Sequence, residues 1–415
     1  MGNELTIKAS LIWTMYLLIK TSEPLDAQIA NSYPFDSLIQ NDPNVIFTEM
    51  FEQSSISKMI STSNYQTSPM LSHINFDYSV PYGSHGTQSL KLTTVENSNL
   101  SNDPNEDSNI LKKFTVGITD SVFIRYYVKF NNAHTFHHTG VWMGGTNPSN
   151  NCWPCNIPGR AIPTSGDSAF VIGTEIRGAA TQSAQTFSKF GFYNYWMGMK
   201  PYTTGPNAGK YYGNEFISPS TNSSLDMTSW NCIETMIKLN KPNDSTGELK
   251  LWINGQLIAH YGKGFPSGIW KEAFFNEGAG NPFEGFRWRS NPKVVFNYIW
   301  IKNYSTNNGS YPSNNDVLYD HIVVAKKYIG PISTSLTTGL DDNDELINIT
   351  LYPNPANEIV NFSTSIKNLS IIDIFGQIVL QAKNILNLST ESLKEGLYII
   401  HADDRIYKLI IKHGE

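Results

Sequence analysis

An all-β protein, built on two packed antiparallel sheets and followed by a small C-terminal β-sandwich, is the fold class this sequence predicts. Three observations predict it. Aromatic residues make up 12% of the 415 positions, and 30 Gly and 21 Pro are spread along the chain, a composition suited to many short strands joined by turns. Between about residues 45 and 330, apolar and polar residues alternate in short runs, the period of half-buried strands. No helical period separates those runs, so successive strands are expected to pair as antiparallel neighbours in two layers.

Taken in order, the chain opens with Lys8, the apolar run "ASLIWTMYLLI" (9–19) and a polar stretch ending in "LDAQ". The run is shorter than the ~20 residues of a membrane span and has the layout of a secretory signal, cleaved after Ala27. A buried helix of the mature fold is the alternative. No later segment is apolar enough to cross a bilayer. The net charge of -6 lacks the basic surplus of a nucleic-acid binder, so nucleic acid is not an expected partner.

Residues 28–332 form the expected large domain. "SVFIRYYVKFNN" (121–132) sets Phe123, Arg125, Tyr127 and Lys129 against Ile124, Tyr126, Val128 and Phe130, one face for a core and the other for a groove. In "GELKLWINGQLIAHY" (247–261), Asn254-Gly255 separates two alternating runs, and this pair favours a type I′ hairpin turn because both central residues take positive φ. "VVFNYIWIKNY" (294–304) and "LYDHIVVAKKYIG" (318–330) read as two further strands. The three cysteines are Cys152 and Cys155 in "CWPC" and Cys232. A C-x-x-C pair suits a redox motif, half a zinc site or a local disulfide. With no βαβ pattern and no second ligand pair, a disulfide in a Pro-rich loop is the expectation for an exported chain.

Residues 333–348, "STSLTTGLDDNDELIN", have linker composition. A second domain, 349–415, follows with "LYPNPANEIVNFS", "LSIIDIFGQIVLQ", "EGLYIIHAD" and "RIYKLIIKH". Through Tyr352-Pro353-Asn354-Pro355, "IIDIFGQIV" (371–379), "EGLYII" (395–400) and the closing "YKLIIKH", it resembles the C-terminal sorting domain of the type IX secretion system of Bacteroidetes-type bacteria. That resemblance implies the type IX secretion machinery as a partner and export through the outer membrane, with the tag removed or used for surface attachment. It says nothing of catalysis.

Several catalytic signatures are absent from the large domain: G-x-S-x-G, H-E-x-x-H, the P-loop and the paired carboxylates of a jelly-roll glycosidase. The segment "IRGAATQSAQTFSKFGFYNYW" (176–196) places Tyr193 and Tyr195 two apart, and Glu175 and Arg177 are likewise two apart, so each pair shares a face if the segment is two strands. Packing of tyrosines on a half-buried strand, a local Arg177–Glu175 pair and a solvated histidine loop are the plainer alternatives.

Over about residues 115–332 the domain resembles the jelly-roll polysaccharide lyases of the alginate and glucuronan type. The resemblance rests on "VFIRYYVKF" leading to "GVWMGG", "FYNYW" with "YYGNEF", "WNCIETMIKLN" with "GELKLWINGQLI", and the closing "LYDHIVVAKKYIGPI". It implies a concanavalin-like β-jelly-roll and β-elimination beside a uronic acid in an anionic polysaccharide. That reaction needs a cation at the uronate carboxylate, a base for the C5 proton and an acid for the leaving O4. Arg177, Tyr193 and Tyr195 take those roles by resemblance, a nearby cation being expected to lower a tyrosine pKa, with His138 of "HTFHHTG" as a further catalytic candidate. Where such lyases carry a lysine after Gly-Gly, Gly144-Gly145 is followed here by Thr146 and Asn147. Either Arg125, Lys200 or a histidine is the substitute, or the uronate chemistry is different or lost. Glu175, Trp142, Trp196 and Tyr211 complete the expected substrate-binding set.

No cofactor is required by this chemistry, and Asp316 and Asp320 offer oxygen ligands for a structural calcium. The competing reading is a non-catalytic, lectin-like carbohydrate-binding surface protein that uses Trp142, Trp196 and Tyr211 as stacking platforms. A structural adhesin has only the sorting tag in its favour.

Overall fold

The structure is a computed structural model that describes residues 28–68, 71–94, 108–130, 136, 138–147, 163–177, 187–304, 314–334, 351–373, 377–402 and 405–413. The expected signal segment, Cys152 and Cys155, and the linker beyond residue 334 lie outside the described residues. The chain divides into two compact units, Met1–Ile332 and Ser333–Glu415.

Among the described residues, the larger unit is a jelly-roll β-sandwich of two sheets, with eight and eleven strands. The smaller sheet runs Gln256–Tyr261, Glu248–Ile253, Asn231–Lys238, Ser121–Phe130, Asn315–Ala325, Ser89–Thr94 and Ile74–Asp77, with Val45–Glu49 also paired to Asn315–Ala325. At the centre of the larger sheet lie Asn214–Phe216, Phe187–Tyr195, Ala169–Arg177, Gly140–Thr146 and Val295–Asn303. These five pair antiparallel in that order.

The alternation that predicts the strands also builds the core. Ile124, Tyr126 and Val128 of one sheet are buried against Ile172, Ile176, Phe190 and Phe192 of the other, each large apolar side chain contributing about 1.5–3 kcal/mol by leaving water. Asn254 and Gly255 have φ of 50° and 81°, the geometry of the predicted I′ turn, which only small or turn-forming residues adopt without strain.

The opposite face of Ser121–Phe130 departs from expectation. It faces no groove, because the N-terminal segment lies over it: Ile29 and Ile39 pack with Phe123, Val323 and Ala325. Arg125 beneath that segment is fully buried and ion-paired with Asp36.

The C-terminal unit contains Leu351–Tyr352, Ile359–Ile372, Ile378–Ser389, Gly396–Ala402 and Arg405–Ile411, all paired antiparallel. Its own core holds Val360, Phe362, Ile366, Leu369, Ile371, Ile400 and Leu409.

Candidate functional site

Which face of the larger sheet each residue occupies follows from two contacts to the other layer. Thr174 Oγ1 lies 3.1 Å from Thr235 Oγ1 of the smaller sheet, so Thr174 points inward and its neighbours Glu175 and Gly173 point outward. Phe192 packs edge-on to Tyr261 of that same sheet, with ring centroids 6.4 Å apart. Tyr193 and Tyr195 therefore project outward, on the face that carries Glu175 and Arg177. In register, Tyr193 pairs with Gly173 and Tyr195 with Val171.

Two glycines make the close approaches that gather the cluster. A Cβ at Gly173 would lie 2.8 Å from Trp142 Nε1, so only glycine leaves room for the indole at that point of the strand. Gly140, at φ +152°, runs close enough to Ala169–Arg177 that a Cβ would meet Thr174 O at 2.2 Å. Gly140 pairs with Glu175, and this approach brings His138, itself at φ 55°, over that carboxylate.

Glu175 is the hub. It is fully buried and accepts from Arg177 Nη1 at 2.7 Å, Trp142 Nε1 at 2.6 Å and His138 Nδ1 at 3.0 Å. Arg177 also donates from Nε to Glu215 at 3.1 Å and pairs with that carboxylate through Nη2. Its guanidinium lies 4.6 Å from the centre of the Tyr193 ring, and Tyr193 meets Tyr195 edge-on at 5.6 Å and His138 at 4.9 Å.

These contacts decide the electrostatics. Burial works against the Arg177 charge, but Glu215 and Glu175 outweigh it and hold the group more firmly protonated than usual. Its charge is shared between two protein carboxylates, and the expected lowering of the tyrosine pKa values does not occur. Burial, with the nearby Tyr195 adding to it, raises Tyr193 well above its ordinary value despite Arg177. Burial likewise pushes Tyr195 up to about 12, against the hydrogen bond from Tyr193. His138 is lowered from its ordinary 6.5 because burial outweighs the attraction of Glu175. Near neutral pH the cluster thus presents a neutral imidazole and protonated phenols.

Lys302 is the cation missed at the sequence level. Its ammonium lies 4.0 Å from the Trp300 ring centre, 4.4 Å from Trp142 and 5.2 Å from Tyr304, and Tyr304 stacks on His138 at 6.0 Å. Lys302 is itself buried, and Trp300 and Tyr304 beside it are half-buried. The W-x-K-x-Y alternation at 300–304 was the available signal, since those three side chains share a face. Glu215 was also missed. It lies in the quoted "YYGNEF", but only strand pairing opposite Tyr193 reveals its part.

The structure brings together Arg177, Tyr193, Tyr195, His138, Glu175 and Trp142, and corrects the roles of the last two. Glu175 and Trp142 are buried and hydrogen-bonded to each other, so they position the other side chains and offer no surface to a sugar. Arg125 lies on the far face of the other sheet and cannot reach this cluster. Lys200 pairs with Glu284 at 3.1 Å and lies over Trp270, both charged groups standing partly in solvent. Trp196 is fully buried against Phe286, Phe283 and Trp288 and is no stacking platform. Tyr211 is half-buried against the core. Thr146, after Gly145, bonds with Asn297. Asp316 accepts from Thr93 Oγ1 at 2.7 Å and Asp320 from His321 N at 2.7 Å. Among the described residues no group of three His, Cys, Asp or Glu is placed to hold a metal ion.

Comparison with known proteins gives the following. Residues 350–412 match the model of the secretion system C-terminal sorting domain. No curated protein matches the chain. Similar solved structures include the marine PL-14 alginate lyase from Aplysia kurodai, at 11% identity and TM-score 0.44, covering 68% of this chain and 99% of that one. An alginate lyase from Chlorella virus is similar at 12% identity and TM-score 0.41, with coverages of 68% and 100%. An endo-β-1,4-glucuronan lyase from the fungus Trichoderma reesei is similar at 12% and 0.33, with coverages of 68% and 91%. No helix among the described residues is long and apolar enough to cross a membrane. The chain thus carries a jelly-roll β-sandwich followed by a type IX secretion sorting domain, which directs it to the cell surface or into the medium.

Proposed function

We propose that the β-sandwich is a lyase that cleaves an anionic, uronate-containing polysaccharide by β-elimination. The observation that carries this reading is the convergence of His138, Tyr193, Tyr195 and Lys302 around Glu175 on one sheet face. With Nδ1 turned to Glu175, His138 Nε2 is the nitrogen that takes the C5 proton, and its lowered pKa keeps it neutral for that task. A phenol held above pH 10 is a donor, so Tyr195, with Tyr193 beside it, protonates the leaving O4. Lys302, the second cation on this face, neutralises the uronate carboxylate beside the Trp142 ring. Cleavage removes the C5 proton, breaks the C4–O4 bond and leaves a C4–C5 double bond. No step uses a metal or cofactor.

The test is incubation of the full chain with alginate, glucuronan and ulvan-type polysaccharides, reading the ultraviolet absorbance of unsaturated ends. Absorbance growth on one of them supports the reading, and an inert protein on all three counts against it. A second reading, lectin-like retention without turnover, has Trp300 and Tyr304 flanking Lys302 in its favour, a cation between two sugar-stacking rings. It predicts glycan retention with no product at any pH.

A further inference from the structure

The outer face of the smaller sheet carries a second cluster that the reaction above does not use. Asp36 and His321 are fully buried, and Ser84 lies half-exposed in the loop "PYGSHG" (81–86). The His321 ring joins them: its Nε2 is 2.7 Å from Ser84 Oγ, and its Nδ1 is 2.7 Å from Asp36 Oδ2. A hydroxyl on one imidazole nitrogen and a buried carboxylate on the other is the arrangement in which the carboxylate fixes the tautomer that accepts the serine proton.

Each member is held by unusual backbone. Ser84 N donates to Pro81 O at 3.0 Å across Gly83, whose φ of 82° a turn of this kind requires. His321 has φ 48° and stands where the register slips between Asp320 and Val323, a bulge that re-aims a side chain out of the strand's alternation. Phe35, Asp36 and Leu38 all have φ near 60° (59°, 58° and 61°). Non-glycine residues keep such conformations only where the surroundings hold them, commonly at functional sites. Arg125 holds Asp36 through both carboxylate oxygens. A cavity of about 480 Å³ adjoins the cluster, with Asp36 and His85 in its wall beside Leu38, Glu49, Met50 and Glu52, while Ser84 and His321 stand outside that lining. The backbone N–H of His85, next after the serine, donates to no carbonyl among the described residues.

We propose that Ser84, His321 and Asp36 form a second catalytic centre, a serine nucleophile that hydrolyses uncharged acyl esters. Ser84 Oγ attacks the ester carbonyl carbon as its proton passes to His321 Nε2. The tetrahedral adduct collapses, the alcohol leaves with that proton, and an acyl-serine remains. Water, deprotonated by the same nitrogen, then releases the acid and restores the serine. The carbonyl oxygen is placed to meet the His85 N–H. Glu49 and Glu52 in the wall of the adjoining cavity repel an anionic acyl group. Burial opposes ionisation of Asp36, but Arg125 and His321 outweigh it and hold the carboxyl at about 2. His321 is lowered by burial against the pull of Asp36. The pair is therefore an anion and a neutral base near neutral pH.

The test uses the full chain, a fluorophosphonate probe and p-nitrophenyl acetate. A single adduct mapped by mass spectrometry to Ser84 is expected, with ester hydrolysis that Ser84→Ala lowers by about 100-fold or more. His321→Gln should slow labelling comparably. Labelling that avoids Ser84, or hydrolysis by Ser84→Ala at the parent rate, overturns the proposal. If Ser84→Ala loses its cooperative melt, Ser84→Cys decides instead: alkylation by iodoacetamide about 10-fold faster than that of a free thiol supports an activating base, and alkylation at the free-thiol rate rejects it.

Discussion

Glu175 accepts a hydrogen bond from His138 Nδ1 at 3.0 Å while fully buried in the sheet. The bond orients the ring, sets its tautomer and makes the histidine the base of the proposed reaction. Burial nevertheless holds the imidazole below its ordinary 6.5. The acidic limb of kcat/KM should therefore fall below pH 6.5, with activity rising as pH climbs through that limb and level above it. His138→Gln should lower kcat by about 100-fold or more. A limb centred above pH 6.5 would remove His138 from the role of base.

Tyr195 is the proposed acid, and burial keeps it protonated to about pH 12. No basic limb attributable to it should appear below about pH 10. Tyr195→Phe should cut turnover by about 100-fold or more while glycan retention on an affinity gel stays near that of the parent. Equal loss of retention and turnover would make the phenol a binding group.

Lys302 lies among Trp300, Trp142 and Tyr304. Lys302→Met should raise KM for the polyuronate and lower kcat, and Lys302→Arg should restore part of both, because either cation neutralises a carboxylate. Kinetics on size-defined oligouronates would check this. If Lys302→Met matched the parent, the neutralising cation would have to be sought elsewhere.

Arg177 joins two buried carboxylates, Glu175 and Glu215. Removing it leaves both uncompensated, and Arg177→Met should cost about 3–5 kcal/mol of stability, the range for breaking one side of a buried pair. Urea unfolding of parent and variant measures this. A change of under about 1 kcal/mol would show that the three groups are not the tight cluster described.

Glu234 gives a pH signature of the fold. Its carboxylate accepts from Ile329 N and Gly330 N, each at 2.8 Å, yet burial outweighs these bonds and raises it to about 7 from 4.5. A folded pKa above the unfolded one means stability fully present below about pH 4.5 and lost as pH rises through 7. Glu234→Gln should flatten the melting temperature across that window, and a parent whose melting temperature rises from pH 5 to 7 relative to the variant would contradict the sign.

Much of the sandwich was legible because two strong local rules apply to it. Asn254-Gly255 demands positive φ at both positions, and the alternation in Ser121–Phe130 separates a face that can leave water from one that cannot. The Tyr193/Tyr195 and Glu175/Arg177 pairs followed from the same rule. It misled at Arg125, where an outward charged face looked like a groove. The cover there comes from Ile29, Asp36 and Ile39, far away in the chain, and no local pattern reports which distant segment will close over a strand. Trp196 failed likewise, since an aromatic residue at a strand end looks the same whether it faces solvent or a ring of other aromatics.

By itself, then, the sequence determined the all-β class, the hairpins, the sorting domain and which residues share a strand face, because period, turn chemistry and motif order are local properties of the chain. Tertiary structure decided which face of each strand is buried and what it meets. It brought Glu215 and Lys302 to the Glu175 face, moved Arg125 away from it, and set Ser84 and Asp36 on either side of His321. A period of two fixes that residues i and i+2 point the same way, but only pairing between distant strands fixes what lies there.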